Sequence, residues 1–177
     1  INGNSTIELD FKNCHPRILA DLEDAVLKPD FDVYNIEKLF ELGLTREHCK
    51  ELLFCLLFTK TERDCINSIR LKLKGWNIGA EVEPKEVIRL YGNHNTYMIP
   101  YFFGNKFYQQ LQNIDATIAT LIINHFTAKG IVVLCYHDSF VIEVQHKDEL
   151  YRMMEYSYRD VMSIKPHQHC NMVIHSH

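Results

Sequence analysis

Two stretches far apart in the chain carry the hydrophobic and polar pattern of strands, and most of what lies between them repeats at helical spacing. Ile7-Glu8-Leu9-Asp10-Phe11 alternates as a half-buried strand does and breaks at Asn13-Cys14-His15-Pro16. Val132 to Val144, VVLCYHDSFVIEV, sets two apolar arms around His137-Asp138-Ser139, and its first arm is β-branched and apolar enough for a buried strand. Between them, Pro16 to Leu22 suits a short helix with proline at an early position. Val33 to Leu42 suits another, ended by Gly43. Thr45 is placed to cap a helix from Arg46 to about Lys60, with His48 where a capping box takes Glu or Gln. Further helices are expected from Glu62 to about Lys74, before Gly75-Trp76-Asn77-Ile78-Gly79, and from Pro84 to about Leu90, where Gly92-Asn93 breaks the pattern. Phe107 to Thr127 is the longest helix, and Lys147 to about Met162 follows the hairpin.

Strand, many helices, hairpin, helix is the order of an α+β fold, with a small antiparallel sheet and the helices inserted between its first and second strands. At 177 residues, 46% apolar and 24% charged, the chain fits one globular domain with a real core. No apolar run reaches the roughly 18 to 20 residues that span a bilayer, so no membrane partner is expected and the protein is read as soluble and intracellular. It lacks an initiator Met and begins close to a presumed core strand, so we expect a piece of a longer protein. Six cysteines without CxxC spacing are expected as reduced thiols, most of them in the core. A net charge of −4 is not that of a free-standing phosphate binder: either nucleic acid is not the substrate, or the duplex-gripping surface lies elsewhere in a parent chain.

An aspartate at the turn between apolar strands is short of solvent and partners unless a cation neutralises it. Asp138 is therefore a metal-ligand candidate, and Asp10 a second in a similar setting. If the strands ending at Asp10 and at His137 lie side by side, two hard oxygen donors meet at one sheet edge, which suits magnesium. Arg46, Lys50, Phe54 and Phe58 stand four apart and form one helical stripe, cations toward its start and rings toward its end. Metal-held carboxylates, cations for a leaving pyrophosphate and a flat apolar surface for a base are the parts phosphoryl transfer uses.

These residues carry a resemblance to the palm and fingers of A-family DNA polymerases and of their relatives, the single-subunit phage-type RNA polymerases. Asp10 to Arg17 resembles the first palm motif, D-Y-S-x-x-E-x-R; Arg46, Lys50, Phe54 and Phe58 resemble the fingers pattern R-x3-K-x3-[FY]-x3-Y; His137-Asp138 resembles the third motif. The resemblance implies a palm at about 1–35 and 104–177, a fingers-like helical insert at about 36–103, and no thumb. It implies two magnesium ions, or manganese in their place, on Asp10, the Phe11 carbonyl and Asp138. It sets Arg46 and Lys50 on the nucleotide phosphates, with Lys50 catalytic toward pyrophosphate, Phe54 near the sugar and Phe58 beside the nascent base pair. Arg17 and His15 join the nucleotide-binding set, and His137, Gln112 and Glu143 the primer-template set.

Implied partners are primer-template, a dNTP or NTP, and domains or subunits supplying a thumb; the implied compartment is the cytoplasm of a bacterium or phage-infected cell. His15-Pro16 replaces the family's E-x pair at the sugar gate, and Ser139 resembles the RNA enzymes, so an RNA polymerase or primase is the alternative; a catalytically idle palm in a replication assembly is the second. The chain is more similar to short phage and plasmid polymerase-like proteins with H-P-R and H-D-S-F motifs than to a full-length repair polymerase. Ordinary roles stand beside these. Asp10 and Asp138 suit turns, Phe54 and Phe58 suit a core, and Arg70, Lys72 and Lys74 a solvated face. His137 is either a satisfied core histidine or a primer contact. His167, His169, His175 and His177 lack the matched cysteines of a zinc site and are taken as incidental.

Overall fold

The computed structural model describes residues 1–78, 82–103 and 107–177. Gly79, in the expected turn after Trp76, and the expected boundary at 104 lie outside the described residues. The fold is α+β, as expected, and its strands form one antiparallel sheet. The chain divides into two compact units, residues 1–29 with 111–177 and residues 30–110.

In the first unit, β1 (Thr6–Phe11), β2 (Leu134–Tyr136), β3 (Ser139–Glu143) and β4 (Ile174–Ser176) lie in the order β2-β3-β1-β4. Directly paired residues of an antiparallel ladder share a face. Leu9, Phe11, Phe140 and Ile142 therefore line one face, where α1 (Cys14–Leu22) and α7 (Lys147–Val161) contribute Ile18, Leu19, Leu150, Met154 and Tyr158 to the buried core. Phe11 meets Phe140 edge-on with ring centroids 6.3 Å apart and Tyr158 at 5.9 Å. The other face is polar, and Glu8, Asp10, Ser139 and His175 share it.

Two expectations about the sheet are corrected. The strand ending at His137 does not lie beside β1; β3 does, because a hairpin sets its return strand between. The run before His137 is not buried either: Leu134 is 55% and Tyr136 75% exposed, since β2 is an outer strand paired on one side. The strand β4 was not anticipated.

What holds β4 in place is a polar network under α1. Arg17 is 1% exposed and donates to the carbonyls of Asn171 (2.7 Å), Pro29 (3.0 Å) and Lys28 (3.3 Å). Asn171, also buried, donates through its backbone N–H and its side chain to Asp21 (2.9 and 2.8 Å), and its side-chain oxygen accepts from the Leu27 N–H (2.7 Å). The Tyr158 hydroxyl donates to the second Asp21 oxygen (2.7 Å). The segment entering β4 is thus tied to α1, to α7 and to the loop after α1.

In the second unit, α2 (Glu37–Glu41), α3 (Arg46–Phe58), α4 (Glu62–Gly75) and α5 (Pro84–His94) precede a 3₁₀ turn at Thr96–Tyr101. Leu52, Leu53, Leu56, Ile69, Val87 and Tyr91 form its interior. The capping box at Thr45 is realised with an imidazole: Thr45 Oγ1 accepts from the His48 N–H, and the Thr45 N–H donates to His48 Nδ1, both at 3.2 Å. The helix α5 runs past the expected break at Gly92. A Cβ there would meet Ile99 at 3.5 Å, ordinary van der Waals contact, and the buried Val87, Leu90 and Tyr91 offset the glycine's helix cost of about 1 kcal/mol.

Removing the Arg17 guanidinium leaves three carbonyls without this donor in a buried place. Arg17→Ala should lower unfolding free energy by about 3 kcal/mol or more, measured by urea denaturation. A loss confined to nucleotide affinity, with stability unchanged, would contradict the structural role.

Candidate functional site

The antiparallel register of β1 and β3 builds the site. Asp10 pairs with Ser139, and the next backbone N–H, that of Phe11, donates to the carbonyl of Asp138 at 3.1 Å. Asp138 and His137 are the two loop residues of the β2–β3 hairpin. His137 takes φ 56°, the left-handed region, which costs a residue with a side chain about 1–2 kcal/mol. That strain turns the chain tightly enough for Asp138 to arrive beside β1.

Asp138 sits in a cluster of like charge. Burial pushes its carboxyl above the ordinary value; its own backbone N–H opposes this, the charges of Asp115 and then Asp10 push it further up, and His15 pulls it down. Asp115, on α6 (Phe107–Thr127), lies 3.5 Å from His15 Nε2. Cys14 is buried, and burial followed by the charges of Asp115 and Asp138 drives its thiol well up. The charges of Asp115 and Asp10 thus reach Asp138 at the end of the sheet where α1 begins. Ser139 donates its hydroxyl to Glu8 across the β1–β3 pair, which fixes that hydroxyl on its neighbour.

Asp10 has a second set of neighbours. His177 Nε2 lies 3.0 Å from Asp10 Oδ1, and His175 pairs with Asp10 across the β1–β4 ladder. The ligating atoms of Asp10, His175 and His177 all fall within 4.8 Å of one another. Of the four tail histidines expected as incidental, pairing of β4 with β1 carries His175 and His177 to the carboxylate. His167 and His169 do not join this group.

The remaining sequence candidates of the first unit fall in different places. His137 is exposed, which rules out the core reading. Gln112 is exposed on α6, one turn before Asp115. Glu143 stands at the far end of β3 from Asp138, about 17 Å along the strand. There it is buried and accepts from the side chains of Asn2, Asn4 and Gln145 at 2.9–3.3 Å. Its primer-template role is corrected to a structural one, because its oxygens satisfy the chain around β1. Arg17 is corrected likewise, since its guanidinium is spent on buried carbonyls.

In the second unit the stripe on α3 forms as spaced. Arg46 makes a two-point contact with Asp32, at 2.7 and 3.3 Å, and lies over the Tyr34 ring at 4.9 Å. The bond to Asp32 raises its pKa above the ordinary guanidinium value. Lys50 is exposed one turn on. Phe54 is 41% exposed and stacks on Phe58 with centroids 5.5 Å apart, so this pair shows part of its ring surface to solvent and is not simply core.

Two features of this constellation left a signal in the sequence that pattern reading passed over. Asp115 is the sole carboxylate on an otherwise uncharged helix, and Ile174-His175-Ser176-His177 alternates as a strand does.

No family model matches the chain, and no curated protein sequence matches it. Among solved structures it is similar to the polymerase domain of Pol1 from M. smegmatis, a structure in complex with DNA primer-template and dNTP. The TM-score is 0.56 at 11% identity, over 99% of this chain. The chain spans 40% of that structure's chain. The likeness is one of fold: α-helices around a small antiparallel sheet of the polymerase-palm kind.

A carboxyl held above its ordinary pKa opposes folding once ionised, and the penalty vanishes when the group is protonated in both states. Asp138→Asn should therefore raise the melting temperature by a few degrees at neutral pH, with the gap closing as pH falls toward about 4. A variant less stable than the parent at pH 7 would contradict the like-charge cluster.

Proposed function

We propose that this chain is the palm and fingers of a template-directed nucleotidyltransferase, a DNA-directed DNA polymerase of phage or plasmid type. The observation that carries the reading is the meeting of Asp10 and Asp138 at one end of the sheet, within a fold similar to a DNA polymerase domain. The donor set suits a hard divalent cation: burial disfavours the ionised form of Asp138, and the charges of Asp115 and Asp10 add to that. Asp10, Asp138 and the Phe11 carbonyl would hold it. In an extended strand a residue's N–H and C=O point to the same side, so the Phe11 carbonyl faces the side of Asp138, where its N–H already bonds. Magnesium bound there supplies neutralisation of phosphate oxygens and activation of the primer 3′-hydroxyl.

The chain's own residues do the rest. Asp10 and Asp138 keep their charge where it can be matched, and the hairpin strain at His137 fixes the approach of Asp138. We assign Arg46 and Lys50 to the triphosphate, with Lys50 giving a proton to departing pyrophosphate, and Phe54 and Phe58 to the sugar and base. Arg46 must trade Asp32 for phosphate or hold both. His15, paired with Asp115, stands at the sugar-gate position and excludes a ribose by bulk. The hydroxyl of Ser139, the feature resembling RNA enzymes, is already taken by Glu8, which weakens the RNA polymerase reading.

One observation favours a second reading. Asp10 Oδ1 is engaged by His177, as it would be in a palm that binds without turning over.

Primer extension on a primed template with magnesium and dNTPs tests this. Asp10→Ala and Asp138→Ala should each lose about 10²- to 10³-fold or more in rate while keeping the circular dichroism of the parent. Lys50→Ala should slow the chemical step about 10²-fold. Extension unchanged by either aspartate substitution refutes the metal assignment; no extension from the parent or from His177→Ala supports the idle palm. Preference for NTPs over dNTPs would move the assignment to an RNA polymerase.

A further inference from the structure

The outer edge of the sheet carries two histidines that nucleotidyl transfer does not use, beside the Asp10 that it does. His175 and His177 stand two apart, so they project from one side of the β4 segment. Asp10 stands opposite His175 in the β1–β4 ladder, and the His177 backbone N–H donates to the Glu8 carbonyl at 3.0 Å, which extends the pairing one residue beyond β4. Three side chains are thus set by backbone hydrogen bonds, and the buried Arg17–Asn171–Asp21 network fixes the segment that leads into them. Imidazole with one carboxylate is a poor donor set for magnesium and a good one for a zinc-class ion.

We propose that Asp10, His175 and His177 form a binding site for a divalent transition metal of the zinc class. Ligands about 2.1 Å from a tetrahedral ion lie about 3.4 Å apart. Asp10 Oδ1 and His177 Nε2 are already 3.0 Å apart, and no ligating pair exceeds 4.8 Å, so side-chain rotation alone closes the set. Three protein ligands leave a fourth position for water or a phosphate oxygen. The ion takes up the negative charge that burial and crowding leave around Asp10 and Asp138, and the deprotonated imidazole nitrogens become donors to it. An ion of this class also competes with magnesium for Asp10, which makes zinc an antagonist of any activity that needs that carboxylate. Binding itself requires only the sheet register and the three side chains, and so it stands apart from nucleotidyl transfer.

The test is zinc chloride titrated into the metal-free 177-residue chain in competition with a chromogenic chelator, with no nucleotide or nucleic acid present. One ion per chain should bind with micromolar affinity or tighter in the presence of millimolar magnesium. His175→Ala and His177→Ala should each weaken binding about tenfold or more, whereas His167→Ala, outside the group, should leave it unchanged. Far-UV circular dichroism follows folding, and His177→Gln, which keeps volume and hydrogen bonding but ligates poorly, should behave as His177→Ala does. Zinc affinity that is absent in the parent, or that survives both substitutions at His175 and His177, overturns the proposal. Because no polymerase substrate is present, this outcome and the outcome of primer extension can fail separately.

Discussion

The structure depends on one register: β1 against β3, with Asp10 opposite Ser139 and the Phe11 N–H bound to the Asp138 carbonyl. A slip of one residue would turn every side chain of β1 to the other face, burying Glu8 and Asp10 and exposing Leu9 and Phe11. The aromatic contacts of Phe11 with Phe140 and Tyr158 oppose that slip, so apolar packing on one face holds charge in place on the other. The carboxylates do not stabilise their own arrangement. Asp138 is pushed toward its neutral form by burial and by Asp115 and Asp10, a cost the sheet imposes and a cation would relieve.

A second constraint is the buried guanidinium of Arg17. A positive charge at that depth needs hydrogen bonds to persist, and here both terminal nitrogens donate to backbone carbonyls, from three positions in all. Those carbonyls belong to the loop after α1 and to the segment leading into β4. The arginine therefore acts on the sheet's outer edge without touching it, by fixing the strand that brings His175 and His177 to Asp10. Asp10 thus stands between two chemistries, a hard oxygen cluster on the β3 side and imidazoles on the β4 side.

Much of this was legible in the sequence where the signal is local. The 21 residues of α6 could be read from periodicity to both ends, and the Thr45 cap from residue type and spacing. The strand-borne aspartates were legible because charged residues in apolar alternation stand out. What could not be read was set by pairing across long separations. Strand order placed β3 beside β1, which no local pattern encodes, and β2 became an exposed outer strand although its residues suit burial. Arg17 matched a motif by position, yet burial gave it a different task. Asp115 belongs to the cluster only because α6 passes it, and the four alternating residues at β4 become a strand only through their pairing with β1. Gly92 read as a helix break by residue type, whereas the buried Val87, Leu90 and Tyr91 carry the helix through it.

The central claim is that the carboxylates gathered by the β1–β3 register form a cation site. Manganese titrated into the isotope-labelled chain, in the absence of nucleotide, tests it by paramagnetic broadening of backbone amide resonances. The account predicts that Phe11, Asp138 and Ser139 broaden first and that Asp138→Asn abolishes the effect at these amides. Broadening that begins elsewhere, or that persists unchanged in Asp138→Asn, would contradict it.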